Sequence, residues 1–239
     1  MKLTIGLRGH IRGSFGNDGL YKLLKNIQLM FDIELYIHTW NVKENSLSWR
    51  NTNTDLTPVT TRTIYTYFKD LSTCIKNIVI EDQDDVIIHG NTTGNVGKTR
   101  MPVKGWKYMI YGMYKLAMMM PDSDTKVLFT RFDILTIQYN ALKENYIIEY
   151  IVKNISASDP LLFKSGGPGY YNGCENLMIG KPTIFKQYLI TMHNDVDSII
   201  CKDYVNQEYY FIDWYNKMEN HIKLNSFLGA KGLLQEVAK

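Results

Sequence analysis

Two charged side chains stand at the end of a segment that has the pattern of a buried strand. The apolar run 127–129 is followed, after one threonine, by Arg131, Phe132 and Asp133. Residues i and i+2 of an extended chain point to the same side, so Arg131 and Asp133 can contact one ligand together. A carboxylate oxygen can hold Mg²⁺ or Mn²⁺, and an arginine can bind a phosphate oxygen or fix the carboxylate. The pattern therefore predicts a metal-bound phosphate, and a surface ion pair at an ordinary strand end is the alternative.

A second group of cations follows the first predicted strand. Residues 2–7 form a short apolar run, and the loop after it contains Arg8, Gly9 and Arg12. In a parallel α/β sheet this first loop lies at the carboxyl edge of the strands, where glycines let backbone N–H groups approach a base or phosphate. The glycine spacing is not the G-x-G-x-x-G dinucleotide motif. We expect Arg8, Gly9 and Arg12 to contact a nucleotide, and a flexible loop with solvated arginines is the alternative.

The second predicted strand, 32–38, delivers more groups to the same edge. A helix over 17–30 connects the two strands, which completes a parallel β-α-β unit. Trp40 follows the second strand, so this strand adds an aromatic group to the edge where Arg8 and Arg12 lie. His38 is more typical of a hydrogen-bonded structural residue than of a metal ligand.

A third group of cations lies in the glycine-containing loop 91–106. Lys98, Arg100 and Lys104 belong to this loop, which ends at Trp106. A segment of this composition can fold over a diphosphate, with the tryptophan stacking on a base or enclosing a sugar. The spacing of glycine and lysine does not match the Walker A motif. An exposed surface loop without a ligand is the alternative.

Apolar runs alternate with amphipathic segments along the chain. Further helices are predicted over 61–71, 106–120 and 139–153, and further strands over 75–80 and at the apolar run 127–129. This order is typical of an α/β fold with a mostly parallel central sheet flanked by helices, here with additional helices toward the C-terminus. The polar segment 42–58 is predicted to be a long surface loop that borders the substrate site.

Length and composition exclude several classes of protein. The 239 residues contain no linker rich in proline, glycine or serine, so one domain is expected. A formal net charge of +3 is too small for a protein that coats nucleic acid. The three cysteines include no C-x-x-C pair, which disfavours a disulfide framework or a zinc site. No run of about 18 uncharged apolar residues occurs, so we predict a cytoplasmic protein with neither a membrane span nor a nucleic-acid partner.

Four short blocks resemble the GT-A-type nucleotide-sugar glycosyltransferases of bacterial polysaccharide loci and of large DNA viruses such as the chlorella viruses. The blocks are MKLTIGLRGHIR, IELYIHTWN, KVLFTRFDIL and NGCENLMIGKP, in this order within residues 1–190. The resemblance implies a single GT-A-like (Rossmann-like) domain over 1–239. Residues 1–135 would form the nucleotide-sugar-binding half, and 136–239 the acceptor side with the C-terminal helices. A viral member would work in the host cytoplasm.

The resemblance also implies roles for the charged residues. Asp133 would be the metal ligand that bridges Mn²⁺ or Mg²⁺ to the diphosphate. Arg131 stands where the family has the first acid of its Asp-x-Asp motif and would help to position the donor sugar or phosphate. Arg8, Arg12 and Trp40 would lie near the nucleotide. Only one acid of that pair is present. The implied donor is a UDP-sugar, and the implied acceptor is a hydroxyl of a glycan or glycoprotein. The enzyme would be a hexosyl- or deoxyhexosyltransferase of polysaccharide biosynthesis.

The chemistry implied is displacement at the anomeric carbon, with the metal and the cations stabilising the departing nucleoside diphosphate. An inverting enzyme also needs a carboxylate as general base, for which Glu175 is the first candidate and Asp159 the second. If neither faces the sugar, retention of configuration is the expectation. A non-catalytic nucleotide- or carbohydrate-binding module is the competing class. A phosphotransferase is disfavoured because Walker A and kinase motifs are missing.

Overall fold

The computed structural model describes residues 1–45, 54–123, 125–136, 142–157, 161–163, 174–204 and 208–217. The strands in these ranges are β1 (Lys2–Arg8), β2 (Asp32–Trp40), β3 (Val42–Glu44), β4 (Asp55–Pro58), β5 (Ile75–Glu81), β6 (Val127–Arg131), β7 (Leu161–Phe163) and β8 (Leu177–Gly180). The α-helices are α1 (Gly19–Gln28), α2 (Thr61–Phe68), α3 (Val103–Met119), α4 (Glu144–Ile155), α5 (Pro182–Asn194), α6 (Val196–Ile200) and α7 (Glu208–Lys217). Short 3₁₀ turns cover Arg12–Gly16, Lys69–Cys74 and Cys174–Asn176.

The central sheet has six strands in the order β5-β2-β1-β6-β8-β7. β1 pairs in parallel with both β2 and β6, and β5 pairs in parallel with β2. β8 runs antiparallel to β6 and to β7. The predicted α/β fold with a mostly parallel central sheet flanked by helices is thus confirmed. Apolar runs such as that of β1 are expected for parallel strands, because helices cover both faces of the sheet.

Two apolar layers cover the two faces of the sheet. One layer joins Ile5, Leu128 and Ile179 of the sheet to helices α1, α2 and α4. The other joins Phe129 and Met178 to helices α3, α5 and α7. Strand side chains alternate between the two layers because successive residues of a strand point to opposite faces.

A glycine allows α3 to approach the middle of the sheet. A Cβ atom at Gly6 would lie 2.5 Å from the terminal methyl of Met120 and 2.8 Å from a methyl of Leu116. The absence of a side chain at this position therefore lets the methionine-rich end of α3 pack directly on β1.

The segment 42–58 differs from its prediction as a continuous surface loop. Its two ends form strands β3 and β4, which pair antiparallel. The strands are short and polar, so their sequence lacks the apolar alternation that identifies a half-buried strand. This pairing directs Glu44, a buried carboxylate, toward the loop after β1.

None of the helices in the described parts of the chain has both the length and the apolar character needed to cross a bilayer.

Candidate functional site

The carboxyl ends of three adjacent parallel strands lie side by side at one edge of the sheet. Arg8 ends β1, and its Cα is in register with His38 of β2 on one side and with Arg131 of β6 on the other. Parallel pairing places the last residues of neighbouring strands together, as the sequence predicted from the strand ends alone. Arg8 and Arg131 thus occupy neighbouring positions at this edge.

Asp133 is held by two arginines. Arg131 donates from Nε to Oδ1 at 2.7 Å and from Nη2 to Oδ2 at 2.9 Å, which is the bidentate geometry of a guanidinium on a carboxylate. Arg12 donates from Nη1 to Oδ2 at 2.5 Å. The Asp133 side chain is only 3% exposed. Burial raises the pKa of this carboxyl, but the two guanidiniums outweigh burial and hold the pKa of Asp133 well below its usual range.

Arg12 connects the cluster to strand β3. Its Nε lies 3.0 Å from Oε1 of Glu44, so the guanidinium is shared between two carboxylates. The backbone of Arg12 has φ +47°, in the left-handed region that residues other than glycine rarely adopt. Such a conformation persists only when surrounding contacts enforce it, and it is common at functional sites. Glu44 was missed by the sequence analysis, because nothing in a polar loop indicates which acid turns inward.

Glu175 lies against the arginines on the β8 side of the cluster. Arg8 donates from Nη2 to its backbone carbonyl, and Arg131 donates from Nη1 to Oδ1 of the adjacent Asn176 at 3.4 Å. Glu175 is 2% exposed, and its Oε2 atom has no hydrogen-bond partner among the described residues. An acceptor without a hydrogen-bond partner on a buried carboxylate is uncommon in proteins, and it keeps the capacity to accept a hydrogen bond.

The ring of His10 lies beside the arginines in the same loop. Burial, the charge of Arg12 and that of Arg131 lower the pKa of His10 to about 3, so the imidazole is neutral. Its Nε2 atom is buried without a partner among the described residues, and its ring centroid lies 6.1 Å from that of Trp40. His10 was not predicted as a site residue. The only signal in the sequence is its position within the cationic glycine loop.

Trp40 lies at the end of β2 but is largely covered. Its ring is stacked on that of Tyr111, with centroids 6.2 Å apart, and contacts Tyr108 edge-on at 5.5 Å. Only 3% of the residue is exposed. Trp40 therefore packs among aromatic side chains beside His10. Its predicted contact with a nucleotide stays a prediction.

Gly9 makes the turn that carries the chain from β1 into the loop. Its φ is +86°, and open space surrounds the position where a Cβ atom would stand. Its carbonyl accepts a hydrogen bond of 2.9 Å from Oγ1 of Thr39, which ties the turn to β2. Backbone geometry, and not crowding, therefore explains the glycine.

Replacing Gly9 with alanine is expected to lower the free energy of unfolding by about 1–2 kcal/mol, because an L side chain is strained at this positive φ. Urea denaturation measures the change. Gly13 is the matched control, since it lies in the same loop, does not have a positive φ and also faces open space. Gly13→Ala should stay within about 0.5 kcal/mol of the wild type. Equal losses in the two variants would contradict the geometric explanation.

The loop 91–106 contacts the segment before α7 and the first turns of α3. The backbone N–H of Lys98 donates to the carbonyl of Tyr204, and its Nζ lies 3.5 Å from a carboxylate oxygen of Asp203. The side chain of Arg100 is exposed. Lys104, in the first turn of α3, lies 5.7 Å from the centroid of the Tyr108 ring. Tyr108 also contacts Trp40 at the end of β2, so Lys104 is connected through one aromatic ring to that end of the site.

Trp106 occupies the core and not the surface of a loop. The residue is 0% exposed, and its ring contacts Tyr210 and Phe211 edge-on at 5.5 and 6.0 Å. The predicted stacking on a base or sugar does not agree with this placement. The sequence could not indicate it, because the aromatic residues that cover Trp106 come from a segment about 100 positions later in the chain. Asp159, the second candidate base, lies outside the described residues.

The donor set around Asp133 does not fit the divalent cation predicted there. Mg²⁺ and Mn²⁺ require several oxygen ligands with free lone pairs. Both oxygens of Asp133 accept hydrogen bonds from guanidiniums, and Glu44 is paired with Arg12. In the parts of the chain that the structure describes, no three His, Cys, Asp or Glu side chains are grouped so that they could hold a metal ion.

No protein-family model and no curated protein sequence matches this chain. Among solved structures, it is similar to the galactosyltransferase LgtC in complex with donor and acceptor sugar analogues, with 10% identity, 90% of this chain and 70% of that chain covered, and a TM-score of 0.48. It is also similar to mouse xyloside xylosyltransferase 1, with 7% identity, coverages of 95% and 85% and a TM-score of 0.44. A third similar structure is 4-diphosphocytidyl-2C-methyl-D-erythritol synthase from Anaerococcus prevotii, with 7% identity, coverages of 94% and 85% and a TM-score of 0.43. At such low identity, the function depends on the chemistry of the site itself.

Proposed function

We propose that this protein is a glycosyltransferase that moves a sugar from a nucleotide-diphosphate donor to a hydroxyl of a glycan or glycoprotein. The observation that carries the proposal is the grouping of Arg8, Arg12 and Arg131 at the carboxyl edge of a parallel sheet, next to the buried Glu175. Glu175 accepts a hydrogen bond from Arg8 through its backbone carbonyl, and its Oε2 atom has no hydrogen-bond partner among the described residues. Guanidiniums and a carboxylate with one oxygen that lacks a hydrogen-bond partner are the two kinds of group that an inverting sugar transfer uses.

The arginines would bind and stabilise the diphosphate. The leaving nucleoside diphosphate gains negative charge as its bond to the sugar breaks, and fixed guanidiniums in a water-poor site stabilise that charge. Arg12 is the guanidinium most suited to direct contact, because its side chain is 18% exposed against 12% for Arg131. Arg8 and Arg131 lie deeper and add positive potential behind it.

Glu175 would act as the general base of an inverting reaction. The acceptor oxygen forms a bond to the anomeric carbon while the bond from that carbon to the diphosphate oxygen breaks. The electron pair of the broken bond leaves with the nucleoside diphosphate, and the hydroxyl proton passes to Oε2 of Glu175. This role requires the acceptor hydroxyl to lie about 3 Å from the carboxylate. The absence of a protein partner at Oε2 among the described residues supports it.

The finer assignments rest on the resemblance of the four sequence blocks. They are a UDP-sugar as donor, a hexose or deoxyhexose as the transferred group, and a role in polysaccharide biosynthesis in the cytoplasm. Arg8, Gly9 and Trp40 would lie near the nucleotide.

A panel of UDP-, GDP- and dTDP-sugars tests the proposal. The wild-type protein should release free nucleotide slowly from one of them, and the matching nucleoside diphosphate should raise the melting temperature. Arg12→Met should weaken binding of that nucleotide by about tenfold or more, as expected for the loss of a charge-assisted contact. Arg62→Met is the matched control, because Arg62 is exposed on α2. The proposal would be refuted if no member of the panel were hydrolysed and no nucleoside diphosphate raised the melting temperature.

A non-catalytic nucleotide-binding module is the second candidate. It is favoured by the mutual neutralisation of the cluster, in which Asp133 and Glu44 already engage Arg12, and Asp133 engages Arg131. Binding of a nucleotide sugar without turnover, in the presence of a range of glycan acceptors, would identify this class.

A further inference from the structure

We infer that the site binds a nucleoside diphosphate without a divalent cation, with Arg131 fixed on Asp133 in place of the metal and Arg12 exchanging its carboxylate partner for the phosphates. The inference rests on the proposed function, since it concerns how the diphosphate of the donor is held. It replaces the sequence prediction that Asp133 is a metal ligand.

The first step concerns the lone pairs of Asp133. Three N–H groups point at its two oxygens, two from Arg131 and one from Arg12, at 2.5–2.9 Å. The carboxylate is almost completely buried. A hydrated cation would have to displace at least one guanidinium and would meet the positive charge of the other. An ion that dehydrates reluctantly, as Mg²⁺ does, is poorly served by such a site.

The second step concerns charge. A complex of two carboxylates and one divalent cation has a net charge of zero. The ion pair of Asp133 and Arg131 also has a net charge of zero. The pair therefore offers a diphosphate the same formal charge as a metal bound between two acids. Its N–H donors form hydrogen bonds where a metal would offer coordination positions.

The third step separates the two arginines that hold Asp133. Arg131 contacts three acceptor atoms, two on Asp133 and one on Asn176, and is therefore fixed. Arg12 contacts one oxygen of Asp133 and one of Glu44, is more exposed, and has a left-handed backbone. If Arg12 turns to a phosphate, Asp133 keeps both hydrogen bonds from Arg131. Arg12 can thus change partners without leaving that buried carboxylate unpaired.

Calorimetric titration of the wild-type protein with UDP, in EDTA and in excess Mn²⁺, tests the inference. If UDP is not the base that binds, the nucleoside diphosphate identified by the sugar panel replaces it. The two dissociation constants should agree within about threefold, well under the tenfold that corresponds to about 1.4 kcal/mol. Titration of Mn²⁺ alone, followed by its electron paramagnetic resonance signal, should show no bound ion.

Binding that is about tenfold or more tighter with Mn²⁺ would overturn the inference and leave the proposed glycosyltransferase standing. Absence of binding in both conditions would overturn the inference and the proposed function together. Arg131→Asp supplies a second acid and removes the fixed guanidinium. In that variant, provided it melts cooperatively, binding of the nucleoside diphosphate in EDTA should be lost. The same variant should bind the nucleoside diphosphate more tightly in Mn²⁺ than in EDTA. If the Arg131→Asp variant binds the nucleoside diphosphate in EDTA as tightly as the wild type does, Arg131 does not substitute for a metal ion.

Discussion

Replacing Asp133 with asparagine is expected to lower the free energy of unfolding by about 3–5 kcal/mol, because it leaves two partly buried guanidiniums without the buried carboxylate that they share. The substitution keeps the size of the side chain and removes only its charge. Arg131 loses a bidentate partner, and Arg12 keeps only Glu44. Guanidinium chloride denaturation at neutral pH measures the difference, and this is the largest change in stability that we expect from any single charged residue of the site.

Acid provides a second measurement of the same pair. The pKa of Asp133 is lowered from its unfolded value of 3.8, so its contribution to stability is fully present above that value. The contribution is lost as the pH falls below 3.8 toward the lower pKa of the folded state. The wild type and the Asp133→Asn variant should therefore converge in stability at strongly acidic pH.

Asp122 is the matched control for this prediction. It forms an ion pair of 2.8 Å with Lys186, but its side chain is 67% exposed. Water and salt screen such a pair, so Asp122→Asn should cost less than about 1 kcal/mol. A loss at Asp133 no larger than the loss at Asp122 would show that the arginine cluster does not stabilise the fold.

Glu175→Gln is expected to reduce the rate of sugar transfer, as kcat, by about 10²–10⁴-fold while nucleotide affinity stays unchanged. The amide has the shape of the carboxylate but cannot accept a proton from the acceptor hydroxyl. The measurement is kcat for transfer to acceptor, set beside the dissociation constant for the nucleoside diphosphate. The separation of the two quantities matters, because a purely structural role of Glu175 would weaken both.

Glu34 offers the control for this substitution. It lies at the amino end of β2, opposite to the arginine cluster, and pairs with Lys2 at 2.9 Å. Glu34→Gln should leave both kcat and nucleotide affinity at the wild-type level. If Glu175→Gln retains full transfer activity, another group must take the proton, or the reaction retains configuration.

The order of strands and helices could be predicted from the sequence because it depends on local patterns. Apolar runs identified β1 and β6, the segment 32–38 was identified as the strand that became β2, and amphipathic spacing identified α1 and α3 to within a few residues. Parallel pairing then follows from the β-α-β order. For the same reason Arg8 and Arg131 could be expected at one edge of the sheet, since each directly ends a strand.

The partners of those residues could not be predicted, because they depend on contacts between distant segments. Arg12 and Asp133 are 121 positions apart, and the hydrogen bond from Arg8 to the Glu175 carbonyl spans 167 positions. The metal prediction treated Asp133 as a free carboxylate. Only the tertiary structure shows that Arg12 and Arg131 both pair with it. Lys98 and Trp106 were placed at the nucleotide by composition, whereas in the structure Lys98 pairs with Asp203 and Trp106 packs against Tyr210.

The sequence by itself determined the parallel sheet, the edge at which the strands end, and the presence of arginines and one acid at that edge. These properties follow from the period and type of neighbouring residues. The tertiary structure alone decided that Asp133 is paired with arginines, that Glu44 joins them, and that Oε2 of Glu175 has no hydrogen-bond partner among the described residues. Each of these depends on which charges meet in a buried space, and the cost of leaving a buried charge unpaired selects the pairing.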